Sequence, residues 1–129
     1  MTEPGNLALA AIAGLLLLFS LRRWILTMRV PAYTVREVAE KIGRSSEVVV
    51  LDVRTRDERS RGRVDGSIHI PLGDLRKRMQ ELEKHRKKEI VCYCQTGNRS
   101  LSAASILLKH GFIAANMKGG MAEWTFRNR

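Results

Sequence analysis

The chain has 129 residues, enough for one domain and too few for two domains of ordinary size. Its 23 lysines and arginines outnumber its 13 acidic residues, which gives a formal net charge of +10. With 44% hydrophobic and 28% charged residues, the composition excludes a wholly disordered chain. The two cysteines exclude a disulfide-rich scaffold and a four-cysteine zinc site.

The N-terminal segment is strongly apolar, with no charged residue between Glu3 and Arg22. At about 1.5 Å per helical residue, this stretch approaches the roughly 30 Å of a bilayer core. Three interpretations compete: a cleaved signal peptide, a buried soluble helix and an uncleaved single-pass anchor. The acidic Glu3 before the apolar run argues against a signal peptide, and the lack of a polar face argues against a soluble helix. We therefore expect residues 5–26 to enter the membrane as an anchor.

The basic residues near this segment predict its orientation. Arg22, Arg23 and Arg29 all follow the apolar run, so the positive-inside rule places the C-terminal side in the cytoplasm. This predicts a single-pass protein of a bacterial-type inner membrane. Because Pro31 cannot continue a helix, we place the domain boundary there. Residues 1–31 are then an anchor and linker, and residues 32–129 form the folded domain.

In the domain, short apolar runs alternate with amphipathic ones. After a Thr34 cap we predict the helix 35–42, with Gly43 as its stop, and further helices at 74–85, capped by Asp74, and at 100–110. Predicted strands are 47–52, 67–72, 90–94 and 114–117, followed by a last helical turn around Trp124. Alternating strands and helices indicate an α/β fold with a mostly parallel sheet, whose ligands bind at the carboxyl ends of strands.

One segment carries recognisable chemistry: residues 94–100 read Cys-Gln-Thr-Gly-Asn-Arg-Ser. Cys94 ends a predicted strand, four residues including Gly97 follow it, and Arg99 opens a helix. The backbone N–H groups of such a loop can surround an anion, and the helix N-terminus adds roughly half a positive charge. This environment predicts that the pKa of Cys94 is lowered and that a persulfide or an anionic substrate is stabilised there.

The loop resembles the Cys-x-x-Gly-x-Arg active-site loop of the rhodanese (sulfurtransferase) family. Residues 51–54, Leu-Asp-Val-Arg, resemble another family motif, and Glu58 stands where that family usually has a glutamate. Residues 62–72 and 119–124 resemble two more, so the resemblance covers residues 33–126 and leaves the anchor outside. It implies the rhodanese-like fold, with about five short strands flanked by helices. Arg59, where an aromatic residue is common, departs from the pattern.

The resemblance also implies a two-step sulfur transfer without a cofactor. Cys94 takes sulfane sulfur from a donor, either a small sulfur-containing anion such as thiosulfate or a persulfide, and passes it to a thiol or cyanide. Arg99 positions the loop or the anionic donor, while Asp52 and Arg54 organise the neighbouring strand end. Arg63, where the family usually has histidine, makes the substrate entrance more cationic. The expected loop residues that hold substrate and persulfide are Gln95, Thr96, Gly97, Asn98 and Ser100.

Two other classes of function remain as alternatives. The first is a non-enzymatic module for sulfur relay, redox sensing or docking, against which the intact cysteine, glycine and arginine argue. The second is a cysteine phosphatase or arsenate reductase. Cysteine phosphatases need five residues between cysteine and arginine, and this loop has four.

The remaining reactive and basic residues favour simpler interpretations. Cys92 is expected in the core, with a resolving or redox role as the alternative. His69, His85 and His110 lack metal-ligand spacing, so no metal site is predicted. The basic run 76–88 fits a solvated helix face or, as the alternative, a surface facing anionic lipid. No nucleic-acid motif accompanies it, and a membrane partner protein for the anchor is left open.

Overall fold

The computed structural model describes residues 3–127, and for residues 26–28 it describes the backbone. It contains five strands, six α-helices and two 3₁₀ segments in the described part of the chain. In chain order these are α1 Pro4–Met28, β1 Ala32–Tyr33, α2 Val35–Arg44, β2 Val48–Asp52, α3 Arg56–Ser60, β3 Ile68–His69, a 3₁₀ turn Leu72–Asp74, α4 Leu75–Arg78, a 3₁₀ segment Met79–His85, β4 Glu89–Tyr93, α5 Asn98–Lys109, β5 Ile113–Met117 and α6 Gly120–Arg127.

The five strands form one parallel sheet in the order β1-β5-β4-β2-β3. This confirms the predicted α/β fold with a sheet flanked by helices. β4 lies at the centre, where Leu51 of β2 pairs with Cys92 on one side and Asn116 of β5 pairs with Cys92 on the other. The carboxyl ends of β2, β4 and β5 therefore meet at one edge of the sheet.

Alternation along β4 divides the core into two layers. Ile90, Cys92 and Cys94 pack with α5, whereas Val91 and Tyr93 pack on the opposite face with α2 and α6. Successive strand side chains point to opposite faces, so a fully buried strand needs apolar residues at every position. Cys94 therefore lies on the α5 face of the sheet, on the same side as Cys92 and two residues further along the chain.

The predicted helix 74–85 is wrong as a continuous α-helix. α4 ends at Arg78, a 3₁₀ segment follows, and Asp74 makes no side-chain capping bond. The three-residue period of a 3₁₀ helix aligns Met79 with Leu82 on the side that meets the core. Leu82 is completely buried there and Met79 packs against the same cluster. Tertiary packing therefore overrides the α-helical spacing that the sequence suggested.

Other boundaries differ in smaller ways. The predicted strand 67–72 is reduced to Ile68–His69, and Pro71 leads directly into a 3₁₀ turn. α2 continues past Gly43 to Arg44. α3 and β1 were not predicted, although Thr55 and Glu58 form a capping box that marks the start of α3.

The N-terminal helix differs in character from the rest of the molecule. Within Pro4–Ile25 the most apolar stretch has a mean hydropathy of 1.9, and none of these residues is buried, so this helix is long and apolar enough to cross a membrane. Shortly after it, Val30 enters the α5-side core cluster, and the Pro31 carbonyl accepts a hydrogen bond from the Asn116 amide at 2.8 Å. The chain therefore contacts the folded core from Val30 onward, and the domain boundary at Pro31 stays a prediction.

Candidate active site

The 94–100 loop lies at the carboxyl edge of the sheet. β4 ends at Tyr93, Cys94 follows it, and α5 begins at Asn98, so the loop is shorter than the sequence suggested. Gly97 makes the turn with φ +110°, a left-handed conformation that glycine adopts without steric cost. The turn directs the backbone of residues 96–100 around the Cys94 sulfur.

The Cys94 sulfur is a hydrogen-bond acceptor in a sheltered position. The Gly97 amide donates to Sγ at 3.1 Å and the Ser100 hydroxyl lies 3.3 Å from it. Burial by itself would raise the pKa of Cys94, but bonds from the Ser100 hydroxyl and from the amides of Ser100, Gly97 and Thr96 outweigh it and lower the pKa below that of an ordinary thiol. Cys94 thus lies in the anion-stabilising environment that the motif predicts.

Arg99 is held by an acidic partner on another element. Its Nη1 and Nη2 donate to Oε2 and Oε1 of Glu58 at 2.9 Å and 2.8 Å. Glu58 Oε2 also accepts from the Thr55 amide at 3.0 Å, which fixes the carboxylate at the start of α3. The hydrogen bond from Arg99 lowers the pKa of Glu58, so the carboxylate stays charged. In this arrangement Arg99 ties the loop to α3 and is half-exposed beside the sulfur.

A buried ion pair supports the edge next to the loop. Arg54 donates to both carboxylate oxygens of Asp52, from Nε at 3.0 Å and from Nη2 at 2.9 Å, and the two residues are 2% and 0% exposed. The Tyr93 hydroxyl and Arg59 Nη1 also donate to Asp52, at 2.9 Å and 3.1 Å. Although burial would raise the pKa of Asp52, the bonds from Arg54 and Tyr93 lower it. Arg59 therefore replaces the common aromatic residue with a second cation for this carboxylate.

Arg54 connects this ion pair to the loop. Its Nη1 lies 3.3 Å from Gln95 Oε1, and its Nη2 donates to the Gly62 carbonyl at 2.7 Å. His69 Nε2 lies 2.7 Å from the Arg54 carbonyl, which gives this histidine a structural contact. Asp52 and Arg54 therefore connect the end of β2 to the loop, and the organising role that the resemblance implies for them stays a prediction.

The Gly119-Gly120 pair brings α6 against the loop. The Met121 and Ala122 amides donate to the Cys94 and Gln95 carbonyls at 2.8 Å and 3.1 Å. A Cβ atom on Gly120, whose φ is +58°, would collide with both of these carbonyl oxygens. Close backbone contact therefore requires glycine here, and the Cys94 and Gln95 carbonyls are hydrogen-bonded to the start of α6.

Not every predicted site residue lies at the sulfur. The side chains of Thr96 and Asn98 are exposed, and Thr96 acts on the Cys94 sulfur through its backbone amide. Arg63 is exposed and lines a groove with Val64, Met121 and Trp124. Within residues 3–127, no hydrogen bond or ion pair joins Arg63 to the loop, so its effect on the substrate entrance stays a prediction.

Cys92 has different surroundings although it is close in sequence. It is fully buried, and burial strongly raises its pKa, with the neighbouring Cys94 adding to the effect. Both cysteines are free. In the described part of the chain, no group of three or more His, Cys, Asp or Glu side chains could hold a metal ion.

The sequence reasoning missed two residues of the site. Asn116 accepts the Ser100 hydroxyl at 2.6 Å, and its Nδ2 donates to the Gly97 carbonyl at 3.2 Å. Tyr93 donates its buried hydroxyl to Asp52. An asparagine inside an otherwise apolar strand, Ala-Ala-Asn-Met, was the available signal for the first, because a buried amide needs partners.

Comparison with known proteins agrees with this geometry. The family model "Rhodanese-like domain" matches residues 34–126. The Bacillus subtilis protein "Putative sulfurtransferase YtwF" is 33% identical over 97 residues, which cover 75% of this chain and 92% of that protein. "Putative sulfur carrier protein YrkF" from the same organism is 34% identical over 97 residues, or 74% of this chain and 51% of that longer protein.

A solved structure gives the same result. The rhodanese-related protein of Thermoplasma volcanium superposes with a TM-score of 0.69 at 31% identity, covering 75% of this chain and 92% of that one. The family match over residues 34–126 includes strands β2 to β5 and the loop. By its fold, its motifs and these relatives, the chain belongs to the rhodanese-like domain family.

Proposed function

We propose that this protein is a membrane-anchored sulfurtransferase in which Cys94 carries sulfur as a persulfide. The sulfur-transfer role is supported by the family and its sulfurtransferase and sulfur-carrier relatives. The observation that carries the proposal is the pair of hydrogen bonds to the Cys94 sulfur, from the Gly97 amide and the Ser100 hydroxyl. These donors favour the thiolate, which is the form of cysteine that attacks sulfur.

The chemistry balances without a cofactor. The Cys94 thiolate attacks the outer sulfur of thiosulfate, the sulfur–sulfur bond breaks, and sulfite leaves with the electron pair. Cys94 then carries a persulfide whose outer sulfur is negative, and in this scheme backbone amides of the loop hold that charge. Cyanide or a thiolate attacks the outer sulfur, takes it away and restores the Cys94 thiolate.

Arg99 acts in this scheme through position and charge. Because Glu58 occupies its guanidinium from one side, Arg99 holds the loop against α3. The Arg99 side chain is 36% exposed, so it also presents positive charge to an approaching anionic donor. Both roles expected of Arg99 are compatible with the same ion pair.

The test uses the full-length protein in detergent. After incubation with thiosulfate, we expect the intact mass to increase by one sulfur atom, and cyanide to remove that sulfur as thiocyanate. Cys94→Ser should gain nothing, whereas the control Cys92→Ser should gain the same sulfur as the wild type. A missing adduct in the wild type, or an equal adduct in Cys94→Ser, would contradict the proposal.

A sulfur-carrier role is the second candidate, favoured by the similarity to YrkF. A carrier would form the Cys94 persulfide but would not release repeated equivalents to a small acceptor. Thiocyanate production that exceeds one equivalent per chain supports the enzyme. Production that stops at one equivalent supports the carrier.

For the anchor we propose that α1 crosses the membrane once and leaves the domain in the cytoplasm. The 22 residues Pro4–Ile25 would span about 33 Å as a helix, enough for a bilayer core of about 30 Å. Arg22 and Arg23 lie at the domain side of this span. Protease added outside intact cells should leave the domain uncut, and should digest it only after the membrane is opened. Digestion of the domain in intact cells would reverse the orientation.

A further inference from the structure

The Ser100 hydroxyl lies between two acceptors at the site. Its oxygen is 3.3 Å from Cys94 Sγ and 2.6 Å from Asn116 Oδ1. All three residues are buried, at 0%, 1% and 5% exposure for Ser100, Cys94 and Asn116. A hydroxyl has one hydrogen, so it can donate to the sulfur or to the amide oxygen but not fully to both.

The backbone and a second hydrogen bond fix the direction of the Asn116 amide. Its Nδ2 donates to the Gly97 carbonyl at 3.2 Å, so Oδ1 faces Ser100. Asn116 also lies within β5, paired with Cys92 of β4 in the middle of the sheet. Asn116 Oδ1 is therefore held in position as an acceptor for the Ser100 hydroxyl.

The two protonation states of Cys94 make different demands on Ser100. With a neutral thiol, the short contact to Asn116 takes the hydroxyl proton, and the thiol can donate its own proton to the Ser100 oxygen. With a thiolate, the negative sulfur attracts the hydroxyl proton, because hydrogen bonds to charged acceptors are the stronger ones. Asn116 Oδ1 then loses its donor in a buried position, which opposes ionisation.

We propose that Asn116 competes with the Cys94 thiolate for the Ser100 proton and thereby sets how readily Cys94 ionises. Asn116 is a positioning residue in this account, since it acts through Ser100. The inference rests on the proposed function for its biological meaning, but ionisation itself can be measured without any sulfur donor.

The competition also affects the two steps of sulfur transfer. Once sulfur is bound, Cys94 Sγ is neutral and the charge lies on the outer sulfur, so the Ser100 proton is free to return to Asn116. Asn116 therefore favours the loaded state over the free thiolate. A thiolate that is less stabilised is also the better nucleophile. At a pH where Cys94 is ionised both with and without Asn116, Asn116 therefore speeds sulfur uptake.

Other ionisable groups face Cys94 and must stay constant in the test. They are Arg99, from α5, with its partner Glu58, from α3, and Cys92 on β4 itself. α6 contributes the Met121 amide, which donates to the Cys94 carbonyl, and β5 contributes the uncharged Asn116. Substituting Asn116 with a neutral residue changes none of these charges.

The experiment is a double-substitution cycle on the full-length protein in detergent. Thiolate formation is followed by ultraviolet absorbance against pH, in wild type, Asn116→Leu, Ser100→Ala and the double variant. We expect Asn116→Leu to lower the pKa of Cys94 by about half a unit to one unit, a roughly three- to tenfold gain in the ratio of thiolate to thiol. Ser100→Ala should raise the pKa, and Asn116→Leu should have no further effect in that background.

Further variants keep the result interpretable. If Asn116→Leu does not fold, as judged by circular dichroism, Asn116→Ala must give the same lowered pKa. An unchanged or raised pKa in a folded neutral variant, or an equal shift with and without Ser100, overturns the inference. If the pKa values of Cys94 change as expected but the wild-type protein takes up no sulfur, that result would count against the proposed function and leave this inference intact.

Discussion

The interior of the sheet and its carboxyl edge have opposite effects on the pKa of a cysteine side chain. Cys92 and Cys94 lie two residues apart and face the same side of the sheet. Inside β4, burial without a donor raises the pKa of Cys92, whereas at the edge the loop amides and Ser100 lower the pKa of Cys94. Both side chains are almost inaccessible to solvent, but Cys92 lies deeper in the sheet, so stronger desolvation of Cys92 and the hydrogen-bond donors around Cys94 together separate the two pKa values.

The same contrast holds for charge. Along the interior of β4, no acidic or basic residue is buried, as expected where backbone groups pair only with neighbouring strands. At the carboxyl edge, Asp52 and Arg54 are both buried and paired, with Arg59 and Tyr93 on the same carboxylate. A parallel sheet can bury charge at this edge because loops and helix ends supply the partners.

The largest expected effect is the difference in reactivity between the two cysteines. Only a thiolate reacts with iodoacetamide, so each unit that separates the two pKa values gives about a tenfold difference in alkylation rate. At pH 7, Cys94 should be alkylated in the folded protein and Cys92 only after unfolding, as read by peptide mass spectrometry. The alkylation rate of Cys94 should reach half its maximum at a lower pH than that of an ordinary cysteine thiol, because its pKa is lowered. Similar alkylation rates for Cys92 and Cys94 in the folded protein would contradict the opposite pKa shifts of the two cysteines.

The next largest effect is expected from removing a buried charge at the carboxyl edge of the sheet. Arg54→Met removes the bidentate partner of the buried Asp52. Leaving a buried charge without a partner costs about 3–5 kcal/mol in the free energy of unfolding, and Arg59, which stays bonded to the same carboxylate, keeps the loss below that range. The control is Arg36→Met, because the Arg36–Glu40 pair is exposed and is worth less than about 1 kcal/mol. Urea unfolding followed by circular dichroism measures both, and equal losses would mean that the edge does not depend on its ion pair.

The pH dependence of stability gives this prediction a second readout. The pKa of Asp52 is lowered in the folded protein, so its stabilising contribution is complete above the unfolded value of about 3.9. It is lost as the pH falls toward the folded pKa. Arg54→Met should weaken this acid-dependent loss, since the folded pKa of Asp52 then rises toward the unfolded one.

The smallest expected effect is on the turn. Gly97→Ala forces a side chain into a left-handed conformation, at about 1–2 kcal/mol in the free energy of unfolding. Gly43→Ala is the matched control, because Gly43 is helical, has open space around a Cβ and should gain up to about 1 kcal/mol. Gly97→Ala should also slow alkylation of Cys94, since the Gly97 amide donates to the sulfur. Two substitutions of the same sign would contradict the assignment of the turn.

Much of the fold could be predicted because its signals are local. The apolar runs of β2 and β4, the capping residue Thr34 and the alternating elements were sufficient for a parallel α/β sheet. The failure at 74–85 has a physical cause: Leu75, Met79 and Leu82 fit an α-helical stripe, and the core selected a 3₁₀ segment for the last two. Spacing alone does not distinguish these two helices over so few turns.

The sequence by itself determined the loop of residues 94–100, the apolar N-terminal helix and the family, since each depends on short runs of residues that can be read directly along the chain. Only the tertiary structure decided that Arg99 pairs with Glu58, that Arg59 joins the Asp52 carboxylate and that Asn116 takes the Ser100 hydroxyl. These contacts depend on the strand order, which sets β4 between β2 and β5 and brings their carboxyl ends together. A motif can specify the nucleophile, but its surrounding hydrogen bonds come from strands and helices that are distant in sequence.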